Sequence, residues 1–246
     1  MERRHTAPRR GQALALLLAC AAVPAFAIAG CSSGSGSSDS SDAKARSSAS
    51  SASSSASGGG SASPTPTVAP AKFAALPSSC TSVTKATVTA LVPKAKTPGG
   101  TAVKSDDLQA RSGCSWTGNG KDGYQYRWLS VTLQRFTSST ALGSAEDQAK
   151  KRYTEQVGTL NQASGATPAT LTGLGDQAAS VASKATIAKV TSQNDSVVVR
   201  SGNVVVLVEF NGAGLEGKKN PSSDTVRSGA ERAAKDAVAA VAAANA

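Results

Sequence analysis

Histidine is almost absent from this chain of 246 residues, because the single one, His5, lies in a cationic segment at the amino terminus. Once that segment is removed, no histidine remains, which excludes a Ser-His-Asp hydrolase, a Cys-His protease and histidine-ligated metal centres. The phosphate-binding pattern G-x-x-x-x-G-K-[ST] is also missing. After residue 30, no run is long and apolar enough to span a bilayer. The composition therefore predicts a protein without a cofactor or a metal.

The amino terminus has the order of residues that a signal peptide shows. A cationic segment is followed by the apolar run 13–30, which is broken by Pro24 and ends before Cys31. The sequence Ile28-Ala29-Gly30-Cys31 resembles the bacterial lipobox, and this resemblance implies that residues 1–30 are removed and that Cys31 is linked to diacylglycerol. Two acyl chains anchor a protein durably, whereas one holds it only marginally. Ordinary secretion, with cleavage after Ala25-Phe26-Ala27, stays open as an alternative, as does the choice between Sec and twin-arginine export.

A tether is expected between this anchor and the folded part of the chain, over residues 31–72. Of the 32 residues from 32 to 63, 28 are Ser, Gly or Ala, so the segment has too little apolar surface to offset its conformational entropy and is expected to stay disordered. As a flexible coil of about 40 residues, the tether has a root-mean-square reach of roughly 35 Å. The remaining residues, 73–246, suffice for a single extracytoplasmic domain.

The cysteine count predicts one disulfide bond. Cys20 leaves with the signal peptide and Cys31 is acylated, so Cys80 and Cys114 remain in the domain. Outside the cytoplasm, two such cysteines are expected to pair. Without histidine nearby they make a poor zinc site.

The net charge is positive before and after processing. Removal of residues 1–30 takes away four arginines and one glutamate, so the net charge falls from +10 to +7. The cations are spread along the chain and suit a neighbourhood of anionic lipids and wall polymers, although a solubilising surface is the simpler explanation. Nucleic acid is not expected as a partner of an exported chain.

The pattern of apolar residues predicts an α+β domain, in which a mainly antiparallel twisted sheet of six to seven strands is packed by three helices. Helices are expected at 81–92, at 144–162 with Ser144 as its cap, and at 223–244. The last helix carries a stripe of small residues, namely Val226, Ala230, Ala234, Ala237 and Val241. Strands are expected at 101–104, 111–117, 124–136, 179–182, 186–191, 196–200 and 204–210. The last of these, "VVVLVEF", is typical of a central strand covered on both faces, and the glycine-rich 118–123 predicts a hairpin turn.

Three short motifs follow the lipobox: "SSC" at 78–80, "GCSW" at 113–116 and "GLGDQA" at 173–178. With them the chain resembles a family of lipoproteins of unknown function from high-GC Gram-positive bacteria, the actinobacterial domain-of-unknown-function lipoproteins. The resemblance implies a membrane-tethered surface domain whose first cysteine opens a short helix, whose second lies in a strand, and whose two cysteines are bridged. Gln177 departs from the acidic residue that the family prefers after "GLGD", which puts one surface contact in doubt.

The strand at 124–136 carries the best binding candidates. Its alternation places Leu129, Val131 and Leu133 on one face, and Tyr124, Tyr126 and Trp128 on the other face beside Arg127. These aromatic side chains and Arg127 are candidates for a platform that binds glycan rings or a partner protein. If a helix covers that face, the aromatic residues belong to the core instead.

Two further side chains have competing interpretations. Trp116 lies two residues from Cys114 on the same strand face and is expected to pack over the disulfide. Glu209 is the lone acid within "VVVLVEF". An edge position or pairing with an arginine is the expected explanation for it, and a functional acid is the alternative.

The sequence therefore predicts a membrane-anchored extracytoplasmic lipoprotein on the outer face of the cell membrane, with a non-catalytic binding, sensing or accessory role. Its expected partners are the membrane, through the lipid, and a cell-wall polymer or an envelope protein. A wall-active enzyme with paired carboxylates and a purely structural envelope protein remain as alternatives.

Replacement of Cys31 by alanine tests the anchor. The substitution is expected to abolish incorporation of radiolabelled palmitate, because the thioether can form only at that thiol. Cys20→Ala is the matched control and keeps the label, since Cys20 lies inside the segment that is removed. Label retained by Cys31→Ala would contradict the lipobox prediction.

Overall fold

The computed structural model describes residues 68–246. The predicted signal peptide, Cys31 and most of the predicted tether lie outside the described residues. The helices are α1 (Ser79–Ser82), α2 (Lys85–Leu91), α3 (Ala145–Leu160) and α4 (Ser223–Ala243). The strands are β1 (Lys94–Ala95), β2 (Thr101–Val103), β3 (Arg111–Asn119), β4 (Gln125–Arg135), β5 (Thr167–Leu171), β6 (Gln177–Ile187), β7 (Val190–Ser201) and β8 (Val204–Gly214).

The strands form one antiparallel sheet in the order β1-β3-β4-β8-β7-β6-β5, and β2 pairs with β3 beside β1. The α+β class and the antiparallel sheet are thus confirmed. The predicted counts are wrong, since this part of the chain has eight strands rather than six to seven and four helices rather than three. Strand β8 lies near the middle of the sheet, as its apolar sequence predicts. No helix among residues 68–246 combines the length and hydropathy needed to cross a membrane.

The differences between the expected and the observed helices and strands have local causes. The single helix predicted at 81–92 is divided in two because Thr84 has extended backbone angles and caps α2 by accepting a hydrogen bond from the Thr87 N–H. The segment predicted as a strand at 186–191 is the tip of the β6–β7 hairpin, where Ala188 and Lys189 have φ values of 48° and 67°. Such a pair of left-handed residues makes the two-residue turn that suits the twist of a hairpin. Strands β1 and β5 are short and were missed by the period-two pattern.

One face of the sheet, called here the closed face, carries the main core. Helix α4 covers it with the stripe predicted from the sequence, and all five of its residues are fully buried: Val226, Ala230, Ala234, Ala237 and Val241. Gly229 allows the helix to approach closely, because a Cβ there would lie 2.7 Å from the Phe210 ring. Helices α1 and α2 extend this cover toward β3 and β4.

The other face, called here the open face, is covered at one end only. Helix α3 begins after Ser144, whose side chain accepts a hydrogen bond from the Asp147 N–H, as the predicted cap requires. Its apolar side packs on three strand residues, Val198, Val205 and Leu207. Beyond these residues, none of the helices among residues 68–246 covers the open face.

The predicted disulfide is confirmed. Cys80 in α1 is bonded to Cys114 in β3, and their Cα atoms are 5.0 Å apart. Trp116, on the same face of β3, is only 2% exposed. Gly100 lies against both groups with φ of 81°, and a Cβ there would lie 2.4 Å from the Cys114 sulfur and 2.8 Å from the Trp116 ring. The bridge therefore fixes the two short helices to the edge of the sheet.

A variant in which both Cys80 and Cys114 are replaced by serine is expected to lose about 4 kcal/mol of unfolding free energy, because the bridge restricts the unfolded chain over a loop of about 35 residues. Urea unfolding followed by circular dichroism measures the loss. The oxidised parent is the reference, and the parent reduced with dithiothreitol is expected to match the variant. A variant as stable as the oxidised parent would contradict this role.

Candidate functional site

The uncovered end of the open face is a groove of about 770 Å³. We call it the open groove. Its floor is formed by side chains of the three central strands, namely Tyr126, Trp128, Asn194, Ser196, Glu209 and Asn211. It contains two of the sequence-predicted binding residues, Tyr126 and Trp128.

The register of β4, β8 and β7 explains why these side chains lie together. Trp128 is paired with Asn211, and Asn211 with Asn194. One step along, Ser130 is paired with Glu209, and Glu209 with Ser196. Paired residues and those two positions away share a face, so both rows point into the open groove.

The aromatic residues of β4 alternate as predicted. Leu129, Val131 and Leu133 are fully buried in the core of the closed face, whereas Tyr126 is 37% exposed and Trp128 is half-buried. The rings are thus accessible on one side and supported on the other.

Tyr124 lies on the same strand face but outside the open groove. Its ring is 46% exposed, and the ammonium group of Lys218 lies 4.9 Å from the ring centre. The structure therefore separates Tyr124 from the other two aromatic candidates.

Arg127, like Tyr124, is a predicted site residue that the structure does not bring to Tyr126 and Trp128. It alternates to the closed face, where its guanidinium lies 5.8 Å from the centre of the Phe210 ring and one of its nitrogens donates to Gln125. Burial lowers the pKa of Arg127, and the nearby Asp122 acts against that shift. We therefore leave Arg127 out of the candidate site.

Glu209 lies on the central strand β8, not at an edge and not in an arginine pair as expected. Its carboxylate accepts a hydrogen bond of 3.1 Å from the Ser130 hydroxyl. Burial raises the pKa of Glu209, and the hydrogen bond from Ser130 offsets part of this shift. The residue is thus a partly desolvated acid within the groove, next in register to the Trp128 row.

The other acid of this region points away. Asp195 precedes Ser196 on β7, so its side chain lies on the closed face, where it is 1% exposed and accepts hydrogen bonds of 2.9 and 3.0 Å from the Ser180 hydroxyl. Burial raises its pKa, against the hydrogen bond from Ser180 and the charge of Arg227, while Glu231 adds to the increase. Glu209 and Asp195 therefore do not converge on a common substrate position. Within residues 68–246, no three metal-ligating side chains cluster.

The rim of the groove comes from segments that the sequence analysis did not assign to the site. The β6–β7 hairpin extends past the other strands and contributes Ile187, 77% exposed, and Val190, 50% exposed. Leu160 at the end of α3 forms the opposite wall. The polar residues Ser192, Asn194 and Ser196 alternate along β7, and this alternation could have predicted a polar strand face. The predicted strand covers only 196–200, so it does not include Ser192 and Asn194.

The arrangement suits recognition of a polar molecule that has flat apolar surfaces. Tyrosine and tryptophan pack against such surfaces and keep a polar group for hydrogen bonding. The amides of Asn194 and Asn211 and the carboxyl of Glu209 supply donors and acceptors on the same floor. Few precisely placed polar groups among aromatic ones are typical of a ligand site.

Glu209→Gln tests the desolvation of this acid. A carboxyl whose folded pKa is raised binds its proton more tightly in the folded state, so the parent loses stability as the pH rises from the unfolded pKa through the folded one. The glutamine variant lacks this loss. Its unfolding free energy relative to the parent is therefore expected to be more favourable at pH 7.5 than at pH 4, as measured by urea unfolding at both values. Glu216→Gln, which replaces an exposed glutamate, is the matched control variant. A flat profile for Glu209→Gln would contradict the assignment.

Comparison with known proteins adds no assignment to these observations. No family model, no curated protein and no solved structure matches the chain. The resemblance to the lipoprotein family therefore stays a prediction, and the open groove is the feature of the described residues that bears on function.

Proposed function

We propose that this protein is a lipid-anchored extracytoplasmic binding module that holds a segment of cell-wall glycan in the open groove. Cys31 supplies the anchor and residues 31–72 supply the tether in this proposal. The domain is then free to reach a polymer within roughly 35 Å of the membrane surface.

The observation that carries the proposal is the grouping of Tyr126, Trp128 and Glu209 on a sheet face that none of the described helices covers at this end. Burying aromatic rings in a core would stabilise the fold further, but here they are left accessible beside a partly desolvated acid. Exposed aromatic residues that are grouped in this way are typical of binding surfaces.

The chemistry of the floor favours a glycan. A sugar ring presents an apolar face to an aromatic ring and hydroxyl groups around its edge, which match the amides of Asn194 and Asn211 and the carboxyl of Glu209. An extended groove about the size of a drug-binding pocket accommodates two or three such units. A protein partner would instead need a larger apolar contact.

The net positive charge of the processed chain supports the proposed location near the cell wall and membrane. The processed chain has a net charge of +7, which favours association with anionic wall polymers and lipid headgroups. Such long-range attraction raises the concentration of the domain near anionic polymers but does not distinguish one ligand from another. In this proposal, specificity comes from the side chains of the open groove.

Retention on purified wall fragments tests the groove. Trp128→Ala and Tyr126→Ala are each expected to lower affinity about tenfold, because an aromatic contact of this kind contributes on the order of 1 kcal/mol beyond its buried area. The matched control is Tyr124→Ala, which removes an exposed tyrosine from the same strand face outside the groove. Circular dichroism and the unfolding midpoint show whether each variant is folded.

Three outcomes would oppose the proposal. Equal loss for Tyr124→Ala would mean that the groove does not define the site. Release of soluble sugar products, abolished by Glu209→Gln, would indicate the wall-active enzyme instead. Retention unchanged in every variant would favour a structural envelope protein.

A further inference from the structure

A second cavity, separate from the open groove, lies on the closed-face side of the sheet beside the disulfide. Its volume is about 670 Å³, and it opens between helices α1 and α2 and the loop from β1 to β2. We call it the helix cleft. Its apolar walls comprise Val83, Val88, Val92, Pro93, Ala95, Pro98 and Trp116, together with the disulfide at Cys80, and Thr81, Thr84, Lys85 and Thr89 line its polar part.

The cleft lies where the sheet edge is formed by two very short strands. Strand β1 has two residues and β2 has three, and both pair with the same edge of β3, so the residues between them leave this edge as a loop. The Cys80–Cys114 bridge joins α1 to β3, and Gly100 places the loop against Trp116. The cavity is therefore formed by the fold itself, and a preformed cavity lowers the entropic cost of binding a ligand.

A wall residue also carries an unused hydrogen-bond donor. Trp116 is 2% exposed, and its indole nitrogen has no hydrogen-bond partner among residues 68–246. A Cβ at Gly100 would lie 2.8 Å from this nitrogen, so the N–H lies against the loop, and it does not enter the choice of ligand.

The charged residues around the cleft are mainly cationic. Lys85 is the charged residue among those that line it, and it is exposed at the start of α2. Lys94 and Lys96, both exposed, flank the lining residue Ala95. Asp236 adds one negative charge beside the cleft, because its carboxylate accepts hydrogen bonds from the N–H and the hydroxyl of Thr84, so the balance of these four charged residues is positive.

We propose that the helix cleft binds a free long-chain fatty acid, with the alkyl chain between the valines and Trp116 and the carboxylate at Lys85. The apolar walls favour an alkyl chain, and the cavity has room for one molecule of this size. The positive charge of Lys85 favours a negatively charged head group. The proposal concerns a different surface from the open groove and stands independently of the glycan proposal.

The two tryptophans of the chain allow the sites to be observed separately. Trp116 lines the helix cleft and Trp128 lines the open groove, and the chain has no other tryptophan. In the full chain carrying Cys31→Ala and Trp128→Phe, all indole emission therefore comes from the cleft. Titration with myristate is expected to change this emission saturably with one molecule bound, and equilibrium dialysis of radiolabelled myristate measures the same binding without relying on fluorescence.

Two variants locate the ligand. Gly99→Phe is expected to lower affinity at least tenfold by filling the cleft, and it should fold because a Cβ at Gly99 meets no atom within 4 Å and its φ is outside the left-handed region. Lys85→Glu is expected to weaken myristate roughly threefold to tenfold, as reversal of an exposed charge allows, and to leave methyl myristate unchanged. The control is Lys121→Glu, an exposed lysine outside the cleft. Shortening the fatty acid is expected to cost about fourfold per methylene.

The contrary results are equally specific. Absence of myristate binding in dialysis overturns the proposal, and so does binding that Gly99→Phe leaves unchanged in a folded protein. Equal affinity for the methyl ester and insensitivity to Lys85→Glu overturn the role of the carboxylate. Emission changes with phosphatidylglycerol vesicles but none with myristate would assign the cleft to a membrane surface and reject a free fatty acid. None of these results bears on retention by wall fragments, which depends on the open groove.

Discussion

The register of β8 between β4 and β7 is the constraint on which the rest of the structure depends. Because side chains alternate strictly, pairing Leu129 with Phe210 and Ser130 with Glu209 sends one row into the core and the next row to the open face. A slip by one residue would bury Glu209 under α4 and expose Phe210. The burial of apolar residues on the closed face therefore fixes the position of the groove, although the floor side chains named above are not members of that core.

The two faces differ because their helices differ in what they bring to the sheet. Helix α4 has a continuous small-residue stripe, so it lies close to the strands along its length and leaves no room for a ligand. Helix α3 packs its apolar side against Val198, Val205, Leu207 and Phe136, and its last apolar residue, Leu160, becomes a wall of the open groove. The proposed binding depends on this partial cover, since a longer apolar stripe on α3 would close over Trp128.

The disulfide has a comparable role at the other end of β3. The short helices α1 and α2 are too small to hold their position by burial alone, and the bond from Cys80 to Cys114 fixes them against Trp116. The helix cleft is what remains between rigidly held elements. Both proposed sites are thus gaps in the cover of one sheet, and each contains one of the two tryptophans.

The α+β class, the α4 stripe, the Ser144 cap and the alternation of β4 could be predicted from residue types at short spacing, and the disulfide could be predicted from the cysteine count. The lipobox prediction also comes from a local motif and lies outside the described residues. The strand neighbours were needed to show that Arg127 lies away from the aromatic pair, that Glu209 faces a groove from a central strand, and that the hairpin tip at Ile187 forms the rim of that groove. Those facts depend on which strands become neighbours and on how far each helix extends over them, and pairing between segments far apart in the chain is not encoded in any local pattern.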